Sequence, residues 1–195
     1  MNIESLALPD VKVVSLDTFV DERGEFTETY DRKSYVYLGI EDVFVQDSFS
    51  RSNSPGTVRG IHFQRPPRSQ AKLVRVARGK AFDIVVDLRT GSPTFGEHVS
   101  IVLEEGDSRV VYVPAGFGHG FCTLVAGTEV VYKMSDHFSA EHYAGLRWDD
   151  PALGIDWPVP TDAAIVSARD QAHPVLAQLV GVFGSGRTGP HEVEP

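Results

Sequence analysis

Apolar and polar residues alternate along most of the chain in short runs. The clearest runs cover residues 11–16, 43–52, 72–76, 80–89 and 98–103, and alternation with a period of two is typical of half-buried β-strands. Turn-forming residues separate the runs at intervals of about 8–12 residues. The sequence contains 18 glycines and 12 prolines to supply those turns. The pattern therefore predicts an all-β domain that closes as a sandwich or a barrel.

Two segments favour helices instead. Residues 31–42 predict a helix that Gly39 keeps short. Residues 171–180 predict a C-terminal helix that is interrupted near Pro174. We therefore expect a small helical content beside a much larger β content.

The length and composition indicate one globular domain. A chain of 195 residues with 42% hydrophobic and 23% charged residues is long enough to bury a core. No repeat or interior linker divides the chain. We therefore expect a single domain over residues 1–183, followed by a disordered tail over residues 184–195, which are small and polar.

The charge and the cysteine content argue against several function classes. A net charge of −9 argues against nucleic acid as a partner. No apolar run approaches the roughly 18 residues of a membrane span, and residues 1–5 lack the start of a signal peptide. The single cysteine, Cys122, excludes an intrachain disulfide and agrees with a reducing cytoplasm. We therefore expect a cytoplasmic protein without a membrane partner.

Residues 59–79 carry the strongest chemical signal. They read as strand, proline-marked turn and strand, which predicts a hairpin with His62 on one arm and Lys72 on the other. Residues directly opposite each other in a hairpin have Cβ atoms about 4.5–5.5 Å apart. A base near neutrality beside a cation suits removal of a proton next to a carbonyl, because the cation stabilises the enolate oxygen. A structural histidine and a solvated lysine are the alternative.

A glycine in the first arm affects which side chains can share a pocket. Arg59 and His62 would face opposite sides of a regular strand, because side chains alternate between the two faces. Gly60 lies between them and predicts a β-bulge. Such a bulge would turn one of the two side chains toward the other.

Two early segments present polar side chains for a ligand. The turn over residues 21–24 leads into Phe26 and Glu28, which share a strand face and form a polar–aromatic edge with Arg23. Gln46 and Ser48 share a face of the next strand. A plain hairpin and an ordinary strand surface are the structural alternatives.

Later residues offer further titratable groups. His119 lies among three glycines, which have no side chains to crowd its ring. Tyr132 lies in a strand, where a tyrosine usually packs its ring and hydrogen-bonds its hydroxyl. A role as a proton donor is the functional alternative. Asp83 and Asp87 share a strand face, from which one of them could meet His62 or Lys72.

The residues from Ser167 to Asp170 form the pattern Ser-x-x-Asp. In a helix this pattern predicts a capping box, with the Asp170 carboxylate bound to the Ser167 backbone. By itself it carries no catalytic signal.

An ordered series of motifs resembles the dTDP-4-dehydrorhamnose 3,5-epimerase family, whose members are cupin-like jelly rolls. The resemblance covers roughly residues 10–175, and the ordered series is far more specific than any one motif. The matching motifs lie at residues 21–28, 44–47, 58–64, 70–74, 86–89, 91–96, 114–121, 132–133 and 148–151.

The resemblance implies a role for each catalytic candidate. His62 would be the base that takes a proton from C3 or C5, both next to the C4 ketone of a dTDP-4-keto-6-deoxyhexose. Asp170 would orient His62, Lys72 would stabilise the enolate oxygen, and Tyr132 would return a proton from the opposite face. His119 would lie near the sugar.

The resemblance also implies a binding set, a homodimer, and no cofactor or metal. The N-terminal strand of each subunit would reach the neighbouring site, and Phe26 would pack on the thymine. The implied substrate-binding residues, besides His119, are Arg23, Phe26, Glu28, Gln46, Asp47, Ser48, Arg59 and Arg169.

Four positions depart from the family pattern. Ser48 and Phe49 stand where asparagine and histidine are common, Phe138 where tyrosine is usual, and Tyr143 where a ligand-binding glutamate is usual. These positions belong to the substrate-binding rim, so the sequence leaves open which nucleotide base and which sugar the protein prefers. They leave the catalytic set intact.

Three alternatives stay open beside double epimerisation. A monoepimerase would invert C3 or C5 alone. A metal-dependent cupin needs clustered His and Glu ligands, but Gln64 follows His62 at the usual spacing and Lys72 would place a cation there. A non-catalytic sugar-nucleotide binding module is the third alternative.

Overall fold

The computed structural model describes residues 1–184. Fourteen strands form the framework of this part of the chain, with two short α-helices and one 3₁₀ helix. The strands are β1 Asn2–Ser5, β2 Lys12–Ser15, β3 Thr18–Asp21, β4 Gly24–Thr27, β5 Gln46–Ser52, β6 Thr57–Gln64, β7 Lys72–Arg78, β8 Lys80–Asp87, β9 His98–Glu104, β10 Arg109–Val113, β11 Phe117–Thr123, β12 Thr128–Met134, β13 Tyr143–Gly145 and β14 Ile165–Val166.

Two sheets face each other. The first sheet has the strand order β1-β2-β10-β7-β12-β5, and the second sheet has the order β13-β6-β11-β8-β9, with β14 pairing β6 in parallel. Strands β3 and β4 form a separate two-stranded hairpin. The all-β prediction is confirmed, and the architecture is a cupin-like β-sandwich.

Apolar side chains from both sheets fill one part of the sandwich. Val13, Val74 and Val111 from the first sheet pack with Val85 and Phe121 from the second, and all five are buried. Burial of apolar surface on this scale is the main term that holds two sheets together. The packed core leaves the other part of the space between the sheets for a cavity.

The predicted hairpin over residues 59–79 is wrong. Strand β6 lies in the second sheet, between β11 and β13, whereas β7 lies in the first sheet, between β10 and β12. The physical reason is the connection over residues 65–71, which is longer than the 2–5 residues of ordinary hairpin loops. Such a connection lets the chain cross from one sheet to the other.

The first helix is shorter than predicted. Helix α1 spans Arg32–Tyr37, and the Asp31 side chain caps it by accepting a hydrogen bond from the Ser34 backbone N–H at 2.9 Å. The chain turns at Gly39, whose φ is +84°, a conformation that favours glycine. The glycine therefore ends the helix close to where its position predicted.

The predicted C-terminal helix over residues 171–180 is wrong. Helix α2 spans only Ala168–Gln171, and a separate 3₁₀ helix spans Leu176–Gln178. Pro174 lies between them, and proline disfavours helical backbone in the residue before it. The polar capping signal at Ser167, rather than the apolar run that follows, marks the helix.

No helix within residues 1–184 is long and apolar enough to cross a bilayer. The predicted tail lies outside the described residues, except for Gly184.

Candidate active site

A cavity of about 600 Å³ lies between the two sheets. The first sheet contributes β5, β7 and β12, the second contributes β6, β11, β13 and β14, and α2 closes one side. The predicted site residues that line it are Ser48, Arg59, His62, Lys72, His119, Tyr132, Arg169 and Asp170.

The predicted β-bulge is present in β6. The register against β11 shifts between the pairs His62–His119 and Arg59–Phe121, so β6 holds one extra residue. Gly60 has a φ of +122°, and a Cβ there would lie 2.6 Å from the Gly120 Cα atom. The bulge brings Arg59 and His62 to the same cavity, although three residues separate them.

His62 forms a hydrogen-bonded pair with Asp170. The distance from His62 Nε2 to Asp170 Oδ1 is 2.7 Å, and the Gly60 backbone N–H donates to Asp170 Oδ2 at 3.4 Å. Because Asp170 accepts at Nε2–H, the lone pair of the neutral imidazole lies on Nδ1. The pair therefore has the arrangement that a histidine general base requires.

The charge states of this pair follow from its surroundings. Burial lowers the pKa of His62 below its ordinary value, and the hydrogen bond to Asp170 offsets only part of that effect. Burial opposes ionisation of Asp170, but its hydrogen bond and charge interaction with His62 keep its pKa below the ordinary value. At neutral pH the imidazole is neutral and the carboxylate is charged.

Helix α2 aims Asp170 at His62. The Ser167 hydroxyl accepts from the Asp170 backbone N–H at 3.1 Å, as a helix cap does. The Asp170 side chain turns instead to His62 and Gly60. The capping interpretation was right for Ser167 and wrong for the Asp170 carboxylate, because the carboxylate bonds His62 instead of the Ser167 backbone.

Lys72 is a buried cation at the floor of the cavity. Its side chain is 9% exposed, and Nζ donates to the His62 carbonyl oxygen at 3.1 Å. Burial lowers the pKa of Lys72 to about 8, and the charge of Asp83 opposes this shift. Most Lys72 side chains are therefore charged at neutral pH and available to an oxyanion.

Tyr132 faces the cavity from the first sheet, whereas His62 belongs to the second. Its hydroxyl lies 3.0 Å from Ser50 Oγ. Burial raises the pKa of Tyr132 well above its ordinary value. The phenol therefore keeps its proton and can act as an acid. No pattern in the sequence singled out Ser50, although it is two residues from Ser48 on the same strand face.

His119 has its own carboxylate partner. The distance from His119 Nε2 to Asp83 Oδ2 is 2.8 Å, and both side chains are buried. The suggestion that Asp83 meets His62 or Lys72 by direct contact is wrong, although its charge acts on Lys72. Asp87 instead bonds Arg89, Ser92 and Thr94 in the following loop.

Aromatic and cationic side chains form the mouth of the cavity. The Arg169 guanidinium lies 3.8 Å from the centre of the Tyr143 ring, and Phe138 packs on Tyr143 with 5.9 Å between ring centres. Ser48 also lines the cavity, but Phe49 does not and is 60% exposed. Three of the four departures from the family pattern therefore face the cavity.

The remaining predicted binding residues lie away from this cavity. Arg23, Phe26 and Glu28 are exposed on or just after the β3–β4 hairpin, and Arg23 pairs with Asp21. Gln46 accepts from the Phe138 backbone N–H at 2.8 Å through Oε1.

Asp47 forms an ion pair with Lys133 at 2.9 Å. Within one chain, the structure therefore does not bring Arg23, Phe26, Glu28, Gln46 or Asp47 to the cavity that His62 lines.

The chain is similar to known proteins over most of its length. The family model for dTDP-4-dehydrorhamnose 3,5-epimerase matches residues 5–178. A dTDP-4-dehydrorhamnose 3,5-epimerase from Sinorhizobium fredii is 46% identical over 180 residues, which are 92% of this chain and 91% of that protein.

Two solved structures are similar throughout. The Legionella pneumophila 3,5-epimerase in complex with dTDP-4-keto-L-rhamnose has a TM-score of 0.86 and 39% identity, over 93% of this chain and 98% of that one. A 3'-monoepimerase from Streptomyces bikiniensis in complex with dTDP-quinovose has a TM-score of 0.84 and 30% identity, over 93% and 92%. The match over nearly the whole chain shows that this protein belongs to the dTDP-4-dehydrorhamnose 3,5-epimerase family.

Proposed function

We propose that this protein converts dTDP-4-dehydro-6-deoxy-D-glucose into dTDP-4-dehydro-L-rhamnose by inverting C3 and C5. The observation that carries the proposal is the placement of a base and an acid on opposite walls of one cavity. His62 projects from the second sheet and Tyr132 from the first. Inversion needs a proton to leave one face of the sugar ring and to return to the other.

His62 acts first, as the base. Its Nδ1 lone pair takes the proton from C3 or C5, and the electron pair of the C–H bond moves toward the C4 carbonyl, which becomes an enolate oxygen. The hydrogens at C3 and C5 of the gluco sugar are axial on the same ring face, so one base serves both carbons. Asp170 stabilises the imidazolium that forms.

Lys72 stabilises the enolate. A cation in a desolvated cavity interacts with a developing negative charge more strongly than it would in water. Lys72 is held in place by its hydrogen bond to the His62 carbonyl oxygen. The base and the cation are therefore positioned relative to each other before the substrate binds.

Tyr132 completes each inversion. Its O–H donates a proton to the opposite face of the enolate carbon, and the C4 carbonyl re-forms. The His62 imidazolium then loses its proton and Tyr132 regains one through the cavity solvent. The raised pKa of Tyr132 supports this role, because the group must hold its proton until the enolate forms.

The charged groups at the mouth suit the diphosphate of the substrate. Arg59 and Arg169 line the cavity, and arginine binds phosphate oxygens in a bidentate manner. His119 contributes a polar wall near the sugar, and Ser48 lies at the rim. No cofactor or metal is required by these steps.

The homodimer remains part of the proposal. The β3–β4 hairpin exposes Phe19, Val20 and Phe26, with Phe26 67% exposed, and a patch of large apolar side chains favours a partner surface. In a symmetric dimer the hairpin would reach the neighbouring cavity with Arg23 and Glu28. Gln46 and Asp47 would then contact the substrate only at its outer end.

We also propose that the protein works in the cytoplasm. Cys122 is a free, buried thiol, and burial raises its pKa to about 11. A thiol of this kind fits a reducing compartment.

A monoepimerase is the second candidate. The similarity to the Streptomyces bikiniensis enzyme supports it, and so do Phe138 and Tyr143, which line the cavity at departures from the family pattern. A changed rim can hold the sugar so that only one carbon meets the base.

Incubation with dTDP-4-dehydro-6-deoxy-D-glucose in D₂O distinguishes these functions by NMR. Double epimerisation predicts deuterium at C3 and C5, and single epimerisation predicts deuterium at one carbon. Deuterium at neither carbon would overturn the proposal and favour a non-catalytic sugar-nucleotide binding module instead.

Two variants test the assigned roles. His62→Asn should abolish deuterium exchange at C3 and C5. Tyr132→Phe should still exchange these hydrogens for deuterium, but with retention of configuration at both carbons. His98→Asn, a histidine of β9 outside the cavity, is the matched control and should keep full turnover.

A further inference from the structure

A second histidine lies behind the catalytic base. His173 Nε2 is 3.5 Å from Asp170 Oδ1, the same oxygen that bonds His62 Nε2 at 2.7 Å. The His62 and His173 rings lie 5.8 Å apart between centres, at an angle of 77°. Two imidazoles and one carboxylate therefore converge on one point. His173 does not line the substrate cavity.

The spacing of these groups fits a small metal ion. Each of the three residues offers one ligand atom, and these atoms all lie within 4.8 Å of one another. Two ligands of a tetrahedral zinc ion, each about 2.0–2.1 Å from the metal, lie roughly 3.4 Å apart. The His173–Asp170 distance of 3.5 Å matches this value. The His62–Asp170 distance is shorter, at 2.7 Å, because a hydrogen-bonded proton lies between the two atoms. A metal ion would replace that proton.

An independent observation points to a missing partner at this place. His173 Nε2 is buried, with its side chain 11% exposed, and its contact with Asp170 Oδ1 at 3.5 Å does not make a full hydrogen bond. The ring is also held firmly, because a Cβ on Gly145 would lie 2.3 Å from it. A buried ring nitrogen without a partner is uncommon. Here it is aimed at a carboxylate and a second imidazole.

We propose that His62, Asp170 and His173 bind one divalent transition-metal ion, with Zn²⁺ as the best fit, and that this ion inhibits the enzyme. Two histidines and one carboxylate with an open position form a common zinc ligand set. The inhibitory part of the proposal rests on the proposed function of His62. The metal is an inhibitor here, so turnover itself requires none.

The inhibition follows from the proton of the imidazole. A metal takes the lone pair of His62 Nε2, and the neutral ring must then carry its single proton on Nδ1. Nδ1 is the nitrogen that takes the substrate proton, and in the metal-bound state it has no lone pair left. Since the ion lies behind the base, we expect zinc to lower kcat much more than it raises KM.

Nearby cations limit the affinity. Lys72 and Arg169 both act electrostatically on this cluster, and one carboxylate offsets only part of their charge. We therefore expect binding in the micromolar range, reversed by a chelator. The ion is thus a reversible inhibitor and not a permanent structural metal.

Calorimetry with chelator-treated full-length protein and ZnCl₂ tests the site without reference to activity. We expect one Zn²⁺ per chain, and Co²⁺ should give visible absorption of a four- or five-coordinate ion. His173→Asn removes the ligand atom without adding bulk and should weaken zinc binding at least about tenfold, the lower end of what loss of a supporting partner costs. The same variant should keep its turnover in EDTA and lose the zinc inhibition.

The matched control is His98→Gln, a histidine of β9 far from the cluster, which should bind zinc and be inhibited like the wild type. Equal zinc binding by wild type and His173→Asn would overturn the proposed site, and so would the absence of stoichiometric binding. A protein that binds zinc through His173 but has no epimerase activity would instead contradict the proposed function. If His173→Asn fails to fold, His173→Leu provides the same comparison.

Discussion

The Lys72 Nζ atom donates a hydrogen bond to the main-chain oxygen of His62 at 3.1 Å, although the two residues belong to different sheets. This contact joins the two walls of the cavity beside the proposed base. It fixes the cation relative to the base without using the imidazole, whose Nε2 is already bound to Asp170. Nδ1 is therefore the ring nitrogen available for the proton transfer that we propose.

Replacement of Lys72 by methionine should separate activity from stability. Lys72→Met removes the enolate stabiliser, and loss of such a group costs about 10²–10³ in kcat. It also removes a desolvated charge, which a buried site disfavours. We therefore expect kcat to fall while the Tm does not.

The pH dependence of the Tm difference between Lys72→Met and the wild type tests whether the buried Lys72 charge causes that difference. The pKa of Lys72 is about 8 in the folded protein and 10.5 ordinarily, so the unfolded chain binds more protons between these values and wild-type stability rises there with pH. The Tm advantage of Lys72→Met should therefore shrink from pH 8 upward. An unchanged difference at all pH values would show that burial of the charge is not the reason.

Turnover should depend on pH in a bell-shaped manner. The base must be neutral, and the pKa of His62 lies below its ordinary value of 6.5 because of burial. The enolate stabiliser must be charged, and the pKa of Lys72 is about 8. We expect kcat/KM to rise with pH to a plateau near neutrality and to fall above about pH 8. In Lys72→Arg, any residual activity should lack the alkaline fall, because guanidinium stays protonated.

Substitution of Asp170 by asparagine should disable the base without removing its neighbour. An amide that donates at His62 Nε2 favours the wrong tautomer, with the proton on Nδ1. The equivalent change in a serine protease lowers kcat by about 10⁴, and we expect a loss of about 10²–10⁴ here. Asp149→Asn, which affects only a surface ion pair with Arg147, is the control. Retained activity in Asp170→Asn would exclude Asp170 as the orienting group.

The bulge at Gly60 should not tolerate a side chain. In Gly60→Ala the new Cβ would meet the Gly120 backbone at 2.6 Å, in addition to the strain of a φ of +122°. Gly106→Ala has a φ of +78° but open space around it, so it isolates the backbone strain, which costs about 1–2 kcal/mol. We expect denaturant unfolding to show a larger loss for Gly60→Ala, above about 3 kcal/mol, together with loss of turnover. Equal losses in both variants would show that the close approach is unimportant.

Much of the proposed catalytic set was predictable from the sequence, in the sense that the predicted residues line one cavity. The bulge followed from a glycine between Arg59 and His62, and the motif series indicated the roles of Lys72 and Tyr132. His173 was missed because a single histidine near a proline carries no signal by itself. Its proposed role depends on its contact with Asp170, which the Ser-x-x-Asp pattern had indicated as part of a helix cap.

The amino-acid pattern alone predicted an all-β chain, the positions of most strands, and the family to which the protein belongs. The sheet to which each strand belongs, and the side chains that come into contact, became clear only from the folded chain. The physical reason is that alternation specifies the buried face of a strand but not the strand beside it. The seven-residue connection over residues 65–71 is too long to impose a hairpin. His62 and Lys72 therefore meet across the sandwich and not along one ladder.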